Sequence, residues 1–110
     1  MAPTRTDRLQ GHLDLLILRA LAGGPMHGWA VAQRLDMISR SVLQVGQGSI
    51  YPALRRLENE SWITAEWGIS EAGRRARFYR LTPAGRRQLE RERALWNELA
   101  EAIQRVLEMA

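Results

Sequence analysis

Arginine is the residue type in this sequence best suited to binding a charged partner, because its planar guanidinium group pairs with phosphate groups and with guanine edges. All 16 basic residues are arginines, against 12 acidic residues, and the formal net charge is +4. The excess lies in residues 1–57, with seven arginines and three acidic residues, and a second cluster follows at Arg74, Arg75, Arg77 and Arg80. This distribution favours a polyanionic partner such as nucleic acid, although a GC-rich genome is an alternative reason for the absence of lysine.

The residue types that most catalytic and metal sites require are scarce. The chain has no cysteine, and its two histidines, His12 and His27, lack a second ligand type at metal-binding spacing. It contains no glycine-rich phosphate loop and no nucleophile motif. We therefore expect no enzyme activity, no cofactor and no bound metal.

Length and composition predict one small domain. The chain has 110 residues, of which 45% are hydrophobic and 25% are charged, as is typical of soluble globular proteins. Its longest apolar run, residues 13–18 interrupted by Asp14, is too short to cross a bilayer, and its polar N-terminus is not a signal peptide. We expect a cytoplasmic protein without a membrane partner, with residues 1–8 as a flexible tail.

Apolar residues at helical spacing predict helices over residues 12–21, 27–39 and 48–60. The buried face of the second helix is predicted at Val31, Leu35 and Ile38, and that of the third at Ile50, Leu54 and Leu57. Ser49 is the predicted N-cap of the third helix. Pro52 then lies in the first turn, where its missing N–H costs no hydrogen bond.

Alternating residues predict two strands over 62–67 and 75–81, joined by a glycine-bounded tip. Thr82 and Pro83 have the residue types that start a helix, and this last helix continues for about 40 Å. The order predicts a mainly α fold with a two-stranded β wing. We expect a winged helix-turn-helix domain over residues 9–81 and a separate C-terminal helix over residues 82–110.

Four segments carry a resemblance to a known family. They are LDLLIL at 13–18, GPMHGW at 24–29, GSIYPALRRLE at 48–58 and RFYRLTPAG at 77–85. In this order they resemble the PadR family of bacterial transcriptional regulators, and GSIYPAL is the most specific of them. The single helix that follows resembles the short-tailed branch of the family. Trp29 is a departure, because the family more often has tyrosine there.

The resemblance implies a sequence-specific DNA-binding regulator of transcription. We expect it to be a repressor that binds double-stranded DNA. The third helix would lie in the major groove with the hairpin as a wing beside it. The expected DNA contacts are Gln47, Ser49, Tyr51, Pro52, Arg55 and Arg56 on the helix, and Arg74, Arg75 and Arg77 on the wing. Two alternatives remain: solvated arginine surfaces, or a winged helix that binds a protein instead of DNA.

The last helix carries apolar residues at heptad spacing, which is typical of a helix that pairs with another helix. We expect a homodimer that matches a palindromic operator, with the first helix completing the interface. The expected dimer contacts are Leu13, Leu16, Ile17, Leu89, Trp96, Leu99, Ile103 and Val106. The alternative is that these residues pack on their own domain.

Trp96 is a candidate ligand contact as well as a dimer contact. Two copies of its indole ring, brought together by a twofold axis, offer flat apolar faces to a small aromatic effector. PadR-like regulators include sensors of aromatic compounds, and the resemblance therefore implies this role. The alternative is ordinary packing in a dimer core.

Overall fold

The computed structural model describes residues 12–109, and the predicted tail over residues 1–8 lies outside this part of the chain. The described residues form helices α1 (Leu13–Leu21), α2 (Gly28–Ile38), α3 (Gln47–Asn59) and α4 (Pro83–Leu107). They also form strands β1 (Met26–His27), β2 (Ile63–Ile69) and β3 (Arg75–Leu81). This order confirms the mainly α fold with a β wing, and the wing is the hairpin of β2 and β3.

The strands form one antiparallel sheet in the order β1-β3-β2. In the wing, Ile63 lies opposite Leu81 and Ile69 lies opposite Arg75, so β2 begins one residue later and ends two residues later than predicted, while β3 has the predicted bounds. Strand β1, which the sequence did not predict, pairs its two residues with β3. The sheet is thereby attached to the start of α2.

The core lies where α1 meets the other helices and the base of the wing. Its fully buried side chains come from four elements and are Ile17, Leu18, Val31, Ile50, Leu54, Leu57 and Ile63. The last buried residue of α4 is Leu89, which is 4% exposed. The remaining length of α4 therefore extends past the core of its own protomer.

The start of α4 is fixed against the start of the wing. As predicted, Thr82 is the N-cap, and its Oγ1 accepts a hydrogen bond from the Gly85 N–H at 3.0 Å. The same hydroxyl donates to the Ser61 carbonyl at 2.7 Å. A Cβ on Gly85 would lie 2.0 Å from the Trp62 carbonyl oxygen, so only glycine permits this close approach.

Three local predictions were wrong. The N-cap of α3 is Gly46, and Ser49 is the third residue of the helix. Pro52 is consequently the sixth residue, beyond the first turn, where its missing N–H costs one intrahelical hydrogen bond. Ile38 was expected to be buried but is 65% exposed, because the last turn of α2 extends beyond the core.

Candidate nucleic-acid interface

Helix α3 has one buried side and one exposed side. Its buried residues are Ile50, Ala53, Leu54 and Leu57. The predicted contact residues on its exposed side are Gln47, Tyr51, Pro52, Arg55 and Arg56, and Ser49 is half-buried between the two sides. The structure thus places five of the six predicted helix residues on the exposed side of α3.

The two neighbouring arginines of α3 have different surroundings. The guanidinium of Arg56 donates a hydrogen bond to the carboxylate of Asp14 on α1. Arg55 forms no ion pair with any other residue between 12 and 109. Arg55 is therefore available to an external phosphate or base edge, whereas Arg56 already has a carboxylate partner.

Helices α2 and α3 meet closely near the N-terminus of α2. The imidazole Nδ1 of His27 accepts a hydrogen bond from the Ala30 N–H at 3.2 Å and so caps α2, as expected if His27 has a local structural role. A Cβ on Gly28 would lie 2.6 Å from the ring of Tyr51. This glycine lets the start of α2 pack directly on the exposed side of α3.

The three predicted wing arginines have different surroundings. Arg77 donates to Glu58 of α3 at 2.9 Å, which links the wing to α3. The guanidinium carbon of Arg75 lies 4.7 Å from the centre of the Trp67 ring, within the range of a cation–π contact. Arg74 is exposed at the tip, where its backbone N–H donates to the Ser70 hydroxyl.

Tyr79 lies between the wing and the core, and its side chain is buried. Burial raises the pKa of its hydroxyl above the ordinary value of 10.0, because ionisation there loses hydration. The positive charge of Arg77, whose guanidinium carbon is 5.8 Å from the ring centre, acts in the opposite direction. The neutral tyrosine thus supports the sheet beneath the exposed arginines.

The predicted dimer contacts divide into two groups. Leu13, Ile17 and Leu89 are buried in the core of their own protomer and therefore offer no surface to a second copy, contrary to the prediction. Leu16 is half-buried against the same core. The exposed apolar stripe of α4, called the α4 stripe below, consists of Leu95, Trp96, Leu99, Ile103, Val106 and Leu107.

Trp96 lies at the start of the α4 stripe and is 41% exposed. Its ring makes an edge-to-face contact with the ring of His12, with 4.9 Å between the ring centres. This contact joins the beginning of α1 to the middle of α4, so α1 borders the α4 stripe.

Trp67 is a further residue of the candidate interface, and it was not among the predicted contacts. It lies opposite Arg77 in the wing and is 60% exposed. The alternating pattern of the strand already placed its side chain on the same face of the hairpin as Arg75 and Arg77. This shared face was the signal that could have identified it.

A helix with an exposed arginine, packed beside an arginine-bearing β hairpin, defines a winged-helix protein of the DNA-binding class. Residues 17–91 match the model of the "Transcriptional regulator PadR-like family". This match covers more than half of the chain, which therefore belongs to the PadR-like family of transcriptional regulators, as the sequence motifs predicted.

Individual relatives agree with this assignment. The chain is 38% identical over 89 residues to "Transcriptional regulator Rv3488" of Mycobacterium tuberculosis, with 81% of this chain and 79% of the relative covered. It is 30% identical over 105 residues to "Uncharacterized protein X" of Lysinibacillus sphaericus, with 94% and 95% covered. A solved PadR-like transcriptional regulator from Bacillus cereus superposes with a TM-score of 0.80 at 26% identity, covering 93% of this chain and 97% of that one.

No helix within residues 12–109 is both long enough and apolar enough to cross a membrane. The same residues contain no group of three histidine, cysteine or acidic side chains placed to hold a metal ion. The family is one of transcriptional regulators.

Proposed function

We propose that this protein is a homodimeric repressor that binds a palindromic operator, with α3 in the major groove and the wing on the adjacent backbone. The observation that carries the proposal is the ion pair between Glu58 and Arg77, which holds the wing beside α3. Arg55 and the other exposed residues of α3 then belong to the same surface as the wing arginines. Such a surface suits a groove and its flanking phosphates.

The exposed residues of α3 are suited to different parts of a DNA duplex. Gln47 and Tyr51, in the N-terminal half of α3, are suited to base edges or phosphates, with Ser49 and Pro52 beside them. Arg55, which lies one turn later, is suited to a guanine or a phosphate.

The remaining arginines of the interface fall into two groups. Arg74 and Arg75 on the wing have no carboxylate partner among residues 12–109, which suits them to phosphates or to a narrow minor groove. Arg56 and Arg77 each donate to a carboxylate through Nη2, so they offer DNA fewer free donors and less net charge than Arg74 and Arg75 do.

The α4 stripe supports the homodimer. Trp96, Leu99, Ile103 and Val106 follow heptad spacing, and all four are exposed in the single protomer. Fully burying one such side chain contributes about 1.5–3 kcal/mol, so a contiguous stripe of this kind favours association. A second copy of the same helix provides a matching stripe, and two copies of α3 then match the two halves of a palindrome.

The role of Trp96 in binding an aromatic effector stays a prediction. Its exposed ring and its contact with His12 suit a site shared by two protomers. If the site exists, planar aromatic compounds will quench the fluorescence of the wild type, and Trp96→Ala will abolish this quenching while the dimer persists. Trp29, Trp62 and Trp67 also fluoresce, so the variant is the necessary control. Equal quenching of both proteins would show that Trp96 has a packing role alone.

Selection of genomic DNA fragments by the purified protein tests the proposed function. We expect the recovered fragments to share an inverted repeat with half-sites about one helical turn apart, and binding to weaken steeply with added salt. A reporter gene placed behind the selected site should be expressed less when the protein is present. Recovery of random fragments would contradict operator recognition. Salt-independent capture of a protein would instead favour the protein-binding alternative.

A further inference from the structure

A cleft of about 560 Å³ is lined by the start of α2, by Tyr51 of α3 and by the wing. Three aromatic residues that line it are exposed: Trp29, Tyr51 and Trp67. Soluble proteins seldom leave several large rings exposed around one concavity unless a ligand or a partner covers them. The volume also lies within the range of about 300–1,000 Å³ that is usual for small-molecule sites.

Positive charge lies beside these rings. Arg74, Arg75 and Arg77 line the wing side of the cleft. Glu58 neutralises Arg77, but Arg74 and Arg75 form no ion pair with any residue from 12 to 109. Because Arg75 stacks on Trp67, the free guanidinium and the exposed indole form one unit.

We propose that this cleft binds a free purine nucleotide, with its base against the indole rings of Trp29 and Trp67 and its phosphate on Arg74 and Arg75. A purine supplies the flat π surface that stacks on aromatic side chains. A phosphate supplies the acceptors that arginine binds in a charge-assisted, bidentate manner. Inorganic phosphate would leave the rings uncovered, and a neutral aromatic molecule would leave both charges unpaired.

The proposal also implies regulation, and this part rests on the proposed function. The arginines of the cleft are among the residues that we expect to contact the operator backbone. A base inside duplex DNA is already paired and stacked, and it therefore cannot enter the cleft as a free nucleotide can. The nucleotide and the operator thus compete for the same arginines, and a high nucleotide concentration releases the protein from DNA.

Calorimetric titration of the full chain with AMP and with adenosine, in the absence of DNA, tests the proposal. Trp67→Ala should weaken the binding of both ligands about tenfold or more, because the stacking surface is lost. Arg75→Ala should weaken AMP binding towards the level of adenosine, because only Arg74 then remains for the phosphate, and it should leave adenosine binding unchanged. Ile69→Ala is the matched control, because Ile69 is exposed on the same strand but does not line the cleft, and it should bind AMP as the wild type does.

Three results would overturn the proposal. The first is an absence of AMP binding by the wild type, and the second is equal AMP binding by Trp67→Ala. The third is binding of a single-stranded oligonucleotide that AMP does not displace. Because these titrations contain no duplex, they separate this proposal from operator binding. AMP should then displace the wild type, but not Arg75→Ala, from any selected operator, and a failure of this displacement would overturn the regulatory part alone.

Discussion

Glu58 of α3 and Arg77 of β3 are joined across the base of the wing, with 2.9 Å between the carboxylate Oε2 and the guanidinium Nη2. The ion pair connects the two elements that the proposed interface needs side by side. It also places a negative charge next to the surface that we expect to face phosphates. The pair therefore holds the wing in position and at the same time limits the attraction of this surface for DNA.

Glu58→Gln should increase affinity for operator and random DNA alike, because it removes a like charge near the phosphates and frees Arg77. We expect a gain of up to about 1 kcal/mol and a steeper salt dependence, with a comparably small loss of folding stability, as for other partly exposed pairs. Fluorescence anisotropy at two salt concentrations measures both effects. Glu60→Gln is the control, because Glu60 is exposed and forms no ion pair within residues 12–109. An equal gain in both variants would show a general effect of charge.

Gly85→Ala and Gly48→Ala should change stability in opposite directions. A Cβ at Gly85 would meet the Trp62 carbonyl oxygen at 2.0 Å, and α4 must then move away from the wing, at a cost of several kcal/mol, about 3 or more. Gly48 lies within α3 with no atom within 4 Å of the added methyl group, so alanine should stabilise the helix by about 0.5–1 kcal/mol. Denaturant unfolding of both variants measures the changes. A neutral Gly85→Ala would contradict the described junction.

Tyr79 should make folding sensitive to alkaline pH. Because burial raises its pKa in the folded chain above the ordinary value of 10.0, its contribution to stability is complete below about pH 10 and is lost as the pH rises through the folded pKa. Tyr79→Phe should therefore lose less stability than the wild type between about pH 9 and about pH 11. Tyr51→Phe, which changes an exposed ring, should keep most of the wild-type loss, because Tyr51 raises the pKa of Tyr79 less than burial does. Identical losses in wild type and Tyr79→Phe would contradict the assignment.

Leu99→Glu combined with Ile103→Glu should dissociate the dimer, because unpaired charges would be buried in the paired α4 stripes. Operator affinity should fall with it, since one half-site supplies only part of the contacts. Asn97→Glu with Gln104→Glu adds the same two charges to exposed positions beside the stripe and should leave the dimer intact. Sedimentation analysis measures the oligomeric state. A monomeric wild type would contradict the proposed dimer.

Helical periodicity in the sequence predicted which residues of each helix are apolar, but not what covers them. Leu89 and Leu99 have the same pattern, yet Leu89 is buried in its own protomer and Leu99 is exposed. Ile38 continues the apolar spacing of α2 beyond the point where the core ends. Burial of this kind depends on the tertiary position of neighbouring elements, which periodicity does not contain.

The family motifs located α3 and the wing, and the alternating pattern located the hairpin. Strand β1 was missed because two residues are too short for a pattern, and only pairing with β3 creates it. The pairing of Arg56 with Asp14 spans 42 positions in the chain. The outward face of α3 was therefore predictable, whereas the difference between Arg55 and Arg56 was not.

Fluorescence anisotropy tests directly whether α3 contacts DNA. It measures the affinity of Arg55→Ala and of Arg56→Ala for a selected operator and for a scrambled duplex. Arg55→Ala should lose about 1–3 kcal/mol on the operator if it contacts a base, and it should lose the same on both duplexes, with a weaker salt dependence, if it contacts phosphate. Arg56→Ala, whose guanidinium already bonds Asp14, should change affinity less on either duplex. Unchanged affinity of Arg55→Ala for both duplexes would contradict DNA binding by this side of α3.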